Sequence, residues 1–209
     1  MNANEPASVE VVAEGLEQLR SARADRGMRA DARRNYERLL ATASEMFAER
    51  GSDEVSLEEI ARQAGVGIGT LYRHFPTRPA LLEAVYRDQV EGLGVLAGKL
   101  LVAESPTAAL TDWMRALVEF SVSKRGLTRE LLGDSPFLPV CKTVIRESSN
   151  ALLARAQQAG VARADVTGSD LQRMAHGLVT AAEYGADDPG LLDRMLSVVM
   201  AGLLTSSAA

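Results

Sequence analysis

One short stretch in the first half of the chain combines small residues with hydrogen-bonding side chains at close spacing. Its members are Gly67, Ile68, Gly69, Thr70, Tyr72, Arg73 and His74, followed by Arg78. Hydroxyl, imidazole and guanidinium groups donate hydrogen bonds to phosphate oxygens and base edges, and glycines allow a backbone to approach its ligand closely. The stretch therefore predicts a surface that contacts nucleic acid.

Two short helices separated by a glycine turn are expected to position these groups. Ser56 followed three residues later by Glu59 forms a capping box, which predicts a helix over residues 57–64. Gly65 lies where the following turn needs a positive φ, and residues 68–75 then form another short helix. This arrangement predicts a helix-turn-helix whose last helix presents its exposed side to a major groove.

A longer helix is predicted ahead of this pair, over residues 31–50, from an apolar stripe at helical spacing. The net charge of the chain is −5, but positive charge is concentrated just before that helix. The arginines there are Arg20, Arg23, Arg26, Arg29, Arg33 and Arg34, against Asp25 and Asp31. We expect Arg33 and Arg34 to contact phosphates or a minor groove. Apolar residues before them could line one face of a short helix, but Pro6 and the Arg/Ala/Asp/Gly stretch favour a flexible extension over residues 1–28.

Residues Ser56 to Phe75 resemble the DNA-binding signature of TetR/AcrR-type regulators. The similarity extends over about residues 31–86 and includes a Thr-Leu-Tyr-x-His-Phe core, with Arg78 where the family usually has lysine. The rest of the chain resembles the family in length and helical layout. The resemblance implies phosphate contacts by Ser56, Tyr72, His74 and Arg78, and approach to base edges by Gly67, Ile68, Gly69 and Thr70. Arg73 is expected on the same exposed face.

Helical periodicity without strand signals predicts an all-α fold, and the family layout implies about nine helices. The predicted parts are an N-terminal extension (1–28), a three-helix DNA-binding domain (29–78) and a helical ligand-binding and dimerisation domain (79–209). A long helix begins after Thr77 and ends before Pro106. Further helices are predicted over residues 107–124, 127–133, 137–159, 168–186 and 189–205.

Large and adaptable side chains in the last domain are predicted to line a pocket for an apolar or amphipathic small-molecule effector. They are Trp113, Met114, Leu117, Phe120, Phe137, Cys141 and Met174. Each of these residues has a simpler interpretation as an ordinary core residue.

The last two predicted helices carry a wide apolar stripe, which predicts a homodimer built on a four-helix bundle. The stripe comprises Leu171, Leu178, Leu192, Met195, Leu196, Val199, Met200 and Leu203. A fully monomeric core is the alternative. Two DNA-binding domains related by a two-fold axis predict a palindromic operator on double-stranded DNA, and the resemblance implies repression that an effector relieves.

Other classes of protein fit the sequence less well. Gly65, Gly67 and Gly69 superficially match a nucleotide-binding loop, but the dinucleotide fingerprint requires a preceding strand and a glycine where Thr70 stands. No hydrolase, zinc-protease or P-loop motif occurs, so no enzyme activity, cofactor or metal is predicted. A single cysteine and the lack of a long apolar run favour a cytoplasmic protein without a membrane partner. A helical ligand-binding protein of the same fold, without DNA function, stays open as an alternative.

Overall fold

The computed structural model describes residues 5–24, 30–131, 135–185, 188 and 190–205. Over these residues the chain forms nine α-helices and no β-strand, with one isolated bridge between Ala162 and Leu204. The helices are α1 (Glu5–Ala24), α2 (Ala30–Arg50), α3 (Leu57–Gln63), α4 (Ile68–His74), α5 (Arg78–Leu101), α6 (Pro106–Leu131), α7 (Leu138–Gln158), α8 (Gly168–Ala182) and α9 (Leu191–Leu203). The predicted all-α fold is confirmed.

Helices α2, α3 and α4 form a small unit that we name the head, and α5 to α9 form the body. The head contacts the body where α2 packs on α5 and α6, and the body helices α5 to α8 pack on one another with α9 against α8. One hydrophobic core runs through both units, from Phe47 and Leu71 in the head to Trp113 and Leu171 in the body. No helix within the described part of the chain is long and apolar enough to cross a bilayer.

Helix α1 differs from the flexible extension that we expected over residues 1–28. Residues 5–24 are helical and pack on α7 and α5. Val12 and Leu19 are buried, Leu16 packs on the core, and these three residues share one side of the helix. Burial of that side against the body stabilises a helix whose amphipathic pattern alone is too weak to predict it.

The contact between α1 and the body is close. A Cβ placed on Gly15 would lie 2.6 Å from Val144 Cγ2, and a Cβ on Gly94 would lie 2.6 Å from Leu16 Cδ2. Glycine at both positions therefore lets the helices approach. At the end of α1, Arg20 Nε donates a hydrogen bond to Glu91 Oε1 across 2.9 Å.

Helix α6 is a single element where we predicted two, over residues 107–124 and 127–133, with a break at Gly126. It continues from Pro106 to Leu131. One glycine inside a helix costs about 1 kcal/mol relative to alanine, which a long packed helix tolerates. We predicted about nine helices, and the described residues form nine. The numbers agree because α1 is an additional helix, whereas α6 takes the place of two predicted ones.

Candidate nucleic-acid interface

Helix α3 begins with the predicted capping box. Ser56 Oγ accepts a hydrogen bond from the Glu59 backbone N–H at 3.2 Å, and the Ser56 backbone N–H donates to Glu59 Oε2 at 3.1 Å. The hydrogen bond from the Ser56 backbone, followed by the Arg50 guanidinium, lowers the pKa of Glu59. The Ser56 hydroxyl also contacts Glu59 Oε2, so its first role is to begin this helix. A phosphate contact by Ser56 stays a prediction.

The turn between α3 and α4 depends on Gly65, which has a φ of +62°. The Val66 N–H donates to the Ala61 carbonyl across 2.9 Å and closes the turn. Ile60 and Leu71 are fully buried beneath it. The helix-turn-helix is therefore held by local backbone geometry and a small apolar core.

Helix α4 presents most of the predicted contact residues at the surface of the molecule. Leu71 faces the core and Phe75, just after the helix, is also buried. The rest of the segment is exposed or half-buried: Gly67, Ile68, Gly69, Tyr72 and Arg73 are exposed, while Thr70 and His74 are half-buried. No other element among the described residues covers this face, so it is accessible to a groove of duplex DNA.

Aromatic contacts with α2 hold the end of α4 in place. The His74 ring meets the buried Tyr36 ring edge-on with centroids 5.8 Å apart, and Tyr36 lies 5.1 Å from the Phe75 ring. Such pairs stabilise a defined orientation beyond their buried area. Tyr36 thus positions α4 relative to α2.

Arg78 has a structural role that the sequence does not reveal. Its Nη1 donates to the Val55 carbonyl across 2.7 Å, and its Nη2 donates to the Ser52 carbonyl. The guanidinium also lies 5.9 Å from the centroid of the Phe47 ring. These contacts tie the start of α5 to the turn before α3. A phosphate contact by Arg78 stays a prediction.

Arginines of α2 add positive charge beside α4. Arg33 and Arg34 are exposed on the first turns of α2, and Arg34 is paired with Asp31. Arg38 was not singled out in the sequence, but its guanidinium lies over Gly65, where a Cβ would meet Nη2 at 2.6 Å. Its spacing of four residues from Arg34 is the signal that could have identified it.

The residues predicted to line an effector pocket are largely core. Trp113, Met114, Leu117, Phe120 and Cys141 are buried, and Phe137 and Met174 are half-buried. Trp113 Nε1 donates to Ser149 Oγ at 3.1 Å, and that hydroxyl donates to the Ile145 carbonyl at 2.8 Å. Burial raises the pKa of the Cys141 thiol to about 12. Burial and hydrogen bonding within the subunit thus account for the positions of these side chains.

A groove lined by both apolar and polar residues instead lies where the head meets the body, with a volume of about 330 Å³. It is lined by Ser44, Gln89, Gly92, Leu93, Leu96, Ala116, Glu119, Phe120 and Ser123, and of these only Phe120 was predicted to line a pocket. Gln89 Nε2 donates to Ser44 Oγ of α2 at 3.2 Å, while Ser123 Oγ of α6 donates to Gln89 Oε1 at 3.4 Å. One α5 side chain therefore connects the head to the body.

The apolar stripe predicted for dimerisation is covered within one subunit. Leu171, Leu178, Leu196, Met200 and Leu203 are buried in the core, and Leu192, Met195 and Val199 are half-buried against it. The surface that α8 and α9 leave exposed includes His176, Gly177, Thr180, Ala181, Val198, Ala201 and Gly202, with Tyr184 just beyond α8. Periodicity alone did not separate the side facing the subunit's own core from the side facing outward.

An exposed helix after a tight glycine turn, on a small three-helix head, defines a helix-turn-helix DNA-binding protein. Residues 39–85 match the family described as bacterial regulatory proteins, tetR family, and residues 105–205 match the C-terminal domain described as transcriptional regulator SbtR-like. The chain belongs to the TetR family of bacterial transcriptional regulators. It is accordingly a DNA-binding regulator of transcription and not an enzyme.

Solved structures share this architecture over almost their whole length. A TetR transcription regulatory protein from Mycobacterium vanbaalenii is 36% identical, with a TM-score of 0.66, and the match covers 85% of this chain and 99% of that one. A TetR transcriptional regulator from Streptomyces coelicolor is 33% identical, with a TM-score of 0.69, and the match covers 82% and 99%. The similarity therefore extends through head and body.

Curated relatives match over part of the chain. An HTH-type transcriptional regulator of Staphylococcus aureus strain USA300 is 43% identical over 64 residues, which is 31% of this chain and 35% of the relative. The match thus spans about a third of the length of these relatives.

Proposed function

We propose that the protein is a homodimeric repressor that binds a palindromic operator through α4 of each subunit and is released by a small-molecule effector. The observation that carries the proposal is the uncovered face of α4, where Thr70, Tyr72 and Arg73 lie together at the surface. A regulator of this kind acts on DNA in the cytoplasm.

The contacts of the head divide into two kinds. Tyr72, His74 and Arg78, with Ser56 and the arginines of α2, bind phosphates and set the position of the head on the duplex. Gly67, Ile68, Gly69 and Thr70 approach base edges and supply sequence preference. Replacement of Tyr72 by alanine should weaken binding to specific and non-specific duplexes by a similar factor.

The exposed surface of α8 and α9 is the proposed dimer interface. Val198 is 73% exposed and Tyr184 is 93% exposed, which is unusual for side chains with so much apolar surface. Beside them, Gly177 and Gly202 have open space where a Cβ would be, so a second pair of helices can approach closely. Two-fold pairing of this surface would place two heads on the two halves of a palindrome.

The effector is proposed to act through the junction of head and body. Helix α5 carries Arg78 at the head and Gln89 at the groove, so a shift of α5 moves both contacts together. The effector would be allosteric if it bound the protein more tightly with the head in one of two positions than in the other. The coupling free energy between two such sites is typically about 1–3 kcal/mol. The core of the body remains the second proposed site for such a molecule.

Selection of bound fragments from the source genome, followed by a mobility-shift titration, tests the proposal. We expect recovered fragments to share an inverted repeat and to bind one dimer. Recovery of no fragment above background, with a folded dimer in solution, would contradict DNA binding and leave a helical ligand-binding protein. Recovery of a site without two-fold symmetry would contradict the dimeric arrangement alone.

A further inference from the structure

We infer that Ile68 reads the 5-methyl group of a thymine by apolar contact, with Gly69 left bare so that the base can come close. The inference rests on the DNA-binding function proposed above and adds to it the chemistry of one base contact. We name the surface formed by Gly67, Ile68 and Gly69 the reading patch.

Ile68 is not part of the core that holds the head together. It is 40% exposed and lies outside the hydrophobic core cluster, whereas Ile60 and Leu71 close the small core of the helix-turn-helix. Over residues 30–75, Ile68 and Tyr72 are the only large hydrophobic side chains at the surface. Tyr72 has a hydroxyl for a phosphate or water, but Ile68 has only an apolar contact to offer.

Of the two flanking glycines, Gly67 is the N-cap of α4, a position that glycine favours, whereas Gly69 lacks an internal cause. Gly65 needs its positive φ, and a Cβ on Gly15 or Gly94 would meet a neighbouring side chain at 2.6 Å. Gly67 and Gly69 have neither a positive φ nor any atom within 4 Å of an added Cβ. Glycine within a short helix is less favourable than alanine, so Gly69 destabilises α4. Neither its backbone conformation nor a close contact in the free protein compensates for this cost.

An apolar side chain between two bare backbone positions fits one feature of the major groove. Thymine carries the 5-methyl group there, while the other major-groove features of the bases are hydrogen-bond donors and acceptors. Thr70 and Arg73, further along α4, have the hydrogen-bonding groups that such donors and acceptors require. The reading patch therefore selects a methyl group, and hydrogen-bond readout belongs to the following turn.

The first experiment removes the methyl group from the DNA. In the operator duplex recovered by selection, each symmetric pair of thymines is replaced by deoxyuridine, which changes only the 5-methyl group. We expect one pair to weaken binding about fourfold per half-site, from the loss of one buried methyl. In Ile68→Ala the thymine operator should bind more weakly, and deoxyuridine at that pair should cause no further loss, because the contact is already gone.

The second experiment adds a methyl group to the protein. Gly69→Ala should raise the melting temperature of the free protein by about 1–4 °C, through helix propensity, and weaken operator binding. Gly98→Ala on α5 is the matched control, since Gly98 is an exposed helical glycine with no atom within 4 Å of an added Cβ. It should stabilise the protein similarly and leave operator binding unchanged.

The outcomes separate this inference from the proposed function. Tight operator binding with no deoxyuridine effect at any position, or an effect that Ile68→Ala leaves intact, would overturn methyl readout but keep the DNA-binding regulator. A Gly69→Ala protein that binds as tightly as wild type would overturn the role of the bare glycine. Failure to recover any operator would overturn both.

Discussion

The guanidinium of Arg78 donates a hydrogen bond to the carbonyl oxygen of Val55 across 2.7 Å, and so joins the first turn of α5 to the segment that leads into α3. The second nitrogen of the same group reaches the Ser52 carbonyl. Arg78 thus joins head and body, and it is also a residue that the family resemblance predicts to contact DNA. Stability of the head and binding of DNA are therefore expected to change together at this position.

Arg78→Ala should lower the free energy of unfolding by about 1.5–3 kcal/mol, because hydrogen bonds from a charged donor to two carbonyls of buried residues are lost. It should also reduce the slope of log binding constant against log salt by about one, through loss of a phosphate contact. Urea unfolding and binding titrations at several salt concentrations measure the two effects.

Arg73→Ala is the matched control, since Arg73 is an exposed arginine of α4. It should leave the free energy of unfolding almost unchanged. An Arg78→Ala protein as stable as Arg73→Ala would refute the structural role. An unchanged salt slope would refute the phosphate contact.

Leu19→Ala tests whether α1 is docked on the body in solution. Leu19 is 2% exposed, so its truncation should lower the free energy of unfolding by about 2–4 kcal/mol. Val9→Ala on the exposed side of the same helix should change it by less than about 0.5 kcal/mol. Equal stability of the two variants in denaturant unfolding would indicate that the N-terminal residues form a free extension.

Glu59 is expected to make the stability of the head depend on acid. Its pKa in the folded protein is lowered from an ordinary value of 4.5, first by the Ser56 backbone hydrogen bond and then by Arg50. The contribution of the carboxylate is therefore complete above pH 4.5 and is lost as the pH falls through the lowered folded pKa. Unfolding of wild type and Glu59→Gln should be compared between about pH 3 and 6. The variant should show a shallower loss of stability below the usual pKa, and parallel curves would speak against the lowered pKa of Glu59.

Val198→Glu tests the proposed dimer interface. A charge on the exposed side of α9 would be buried without a partner on association, so the variant should be monomeric by light scattering and should lose operator binding. Val102→Glu is the control, because Val102 is 84% exposed in the connection between α5 and α6. It adds the same charge and should stay dimeric. A dimeric Val198→Glu protein would exclude this surface as the interface.

The helix-turn-helix was predictable because its determinants lie close together along the chain. The capping box of Ser56 and Glu59 spans three residues, the positive φ of Gly65 is a property of one residue, and Leu71 reaches Ile60 across a single turn. Interactions of this range depend on the local sequence alone. The motif and the periodicity were therefore enough to predict α3, α4 and the exposed face of α4.

Contacts between distant segments could not be obtained in the same way. Whether α1 is a helix depends on the α5 and α7 surfaces on which it packs, and which side of α9 faces outward depends on what α8 and α6 already cover. Arg78 meets Val55 and Ser52 only after the chain has folded back on itself. An amphipathic pattern predicts that one side of a helix is buried but does not identify the element that buries it. That element is determined by the packing of segments far apart in sequence.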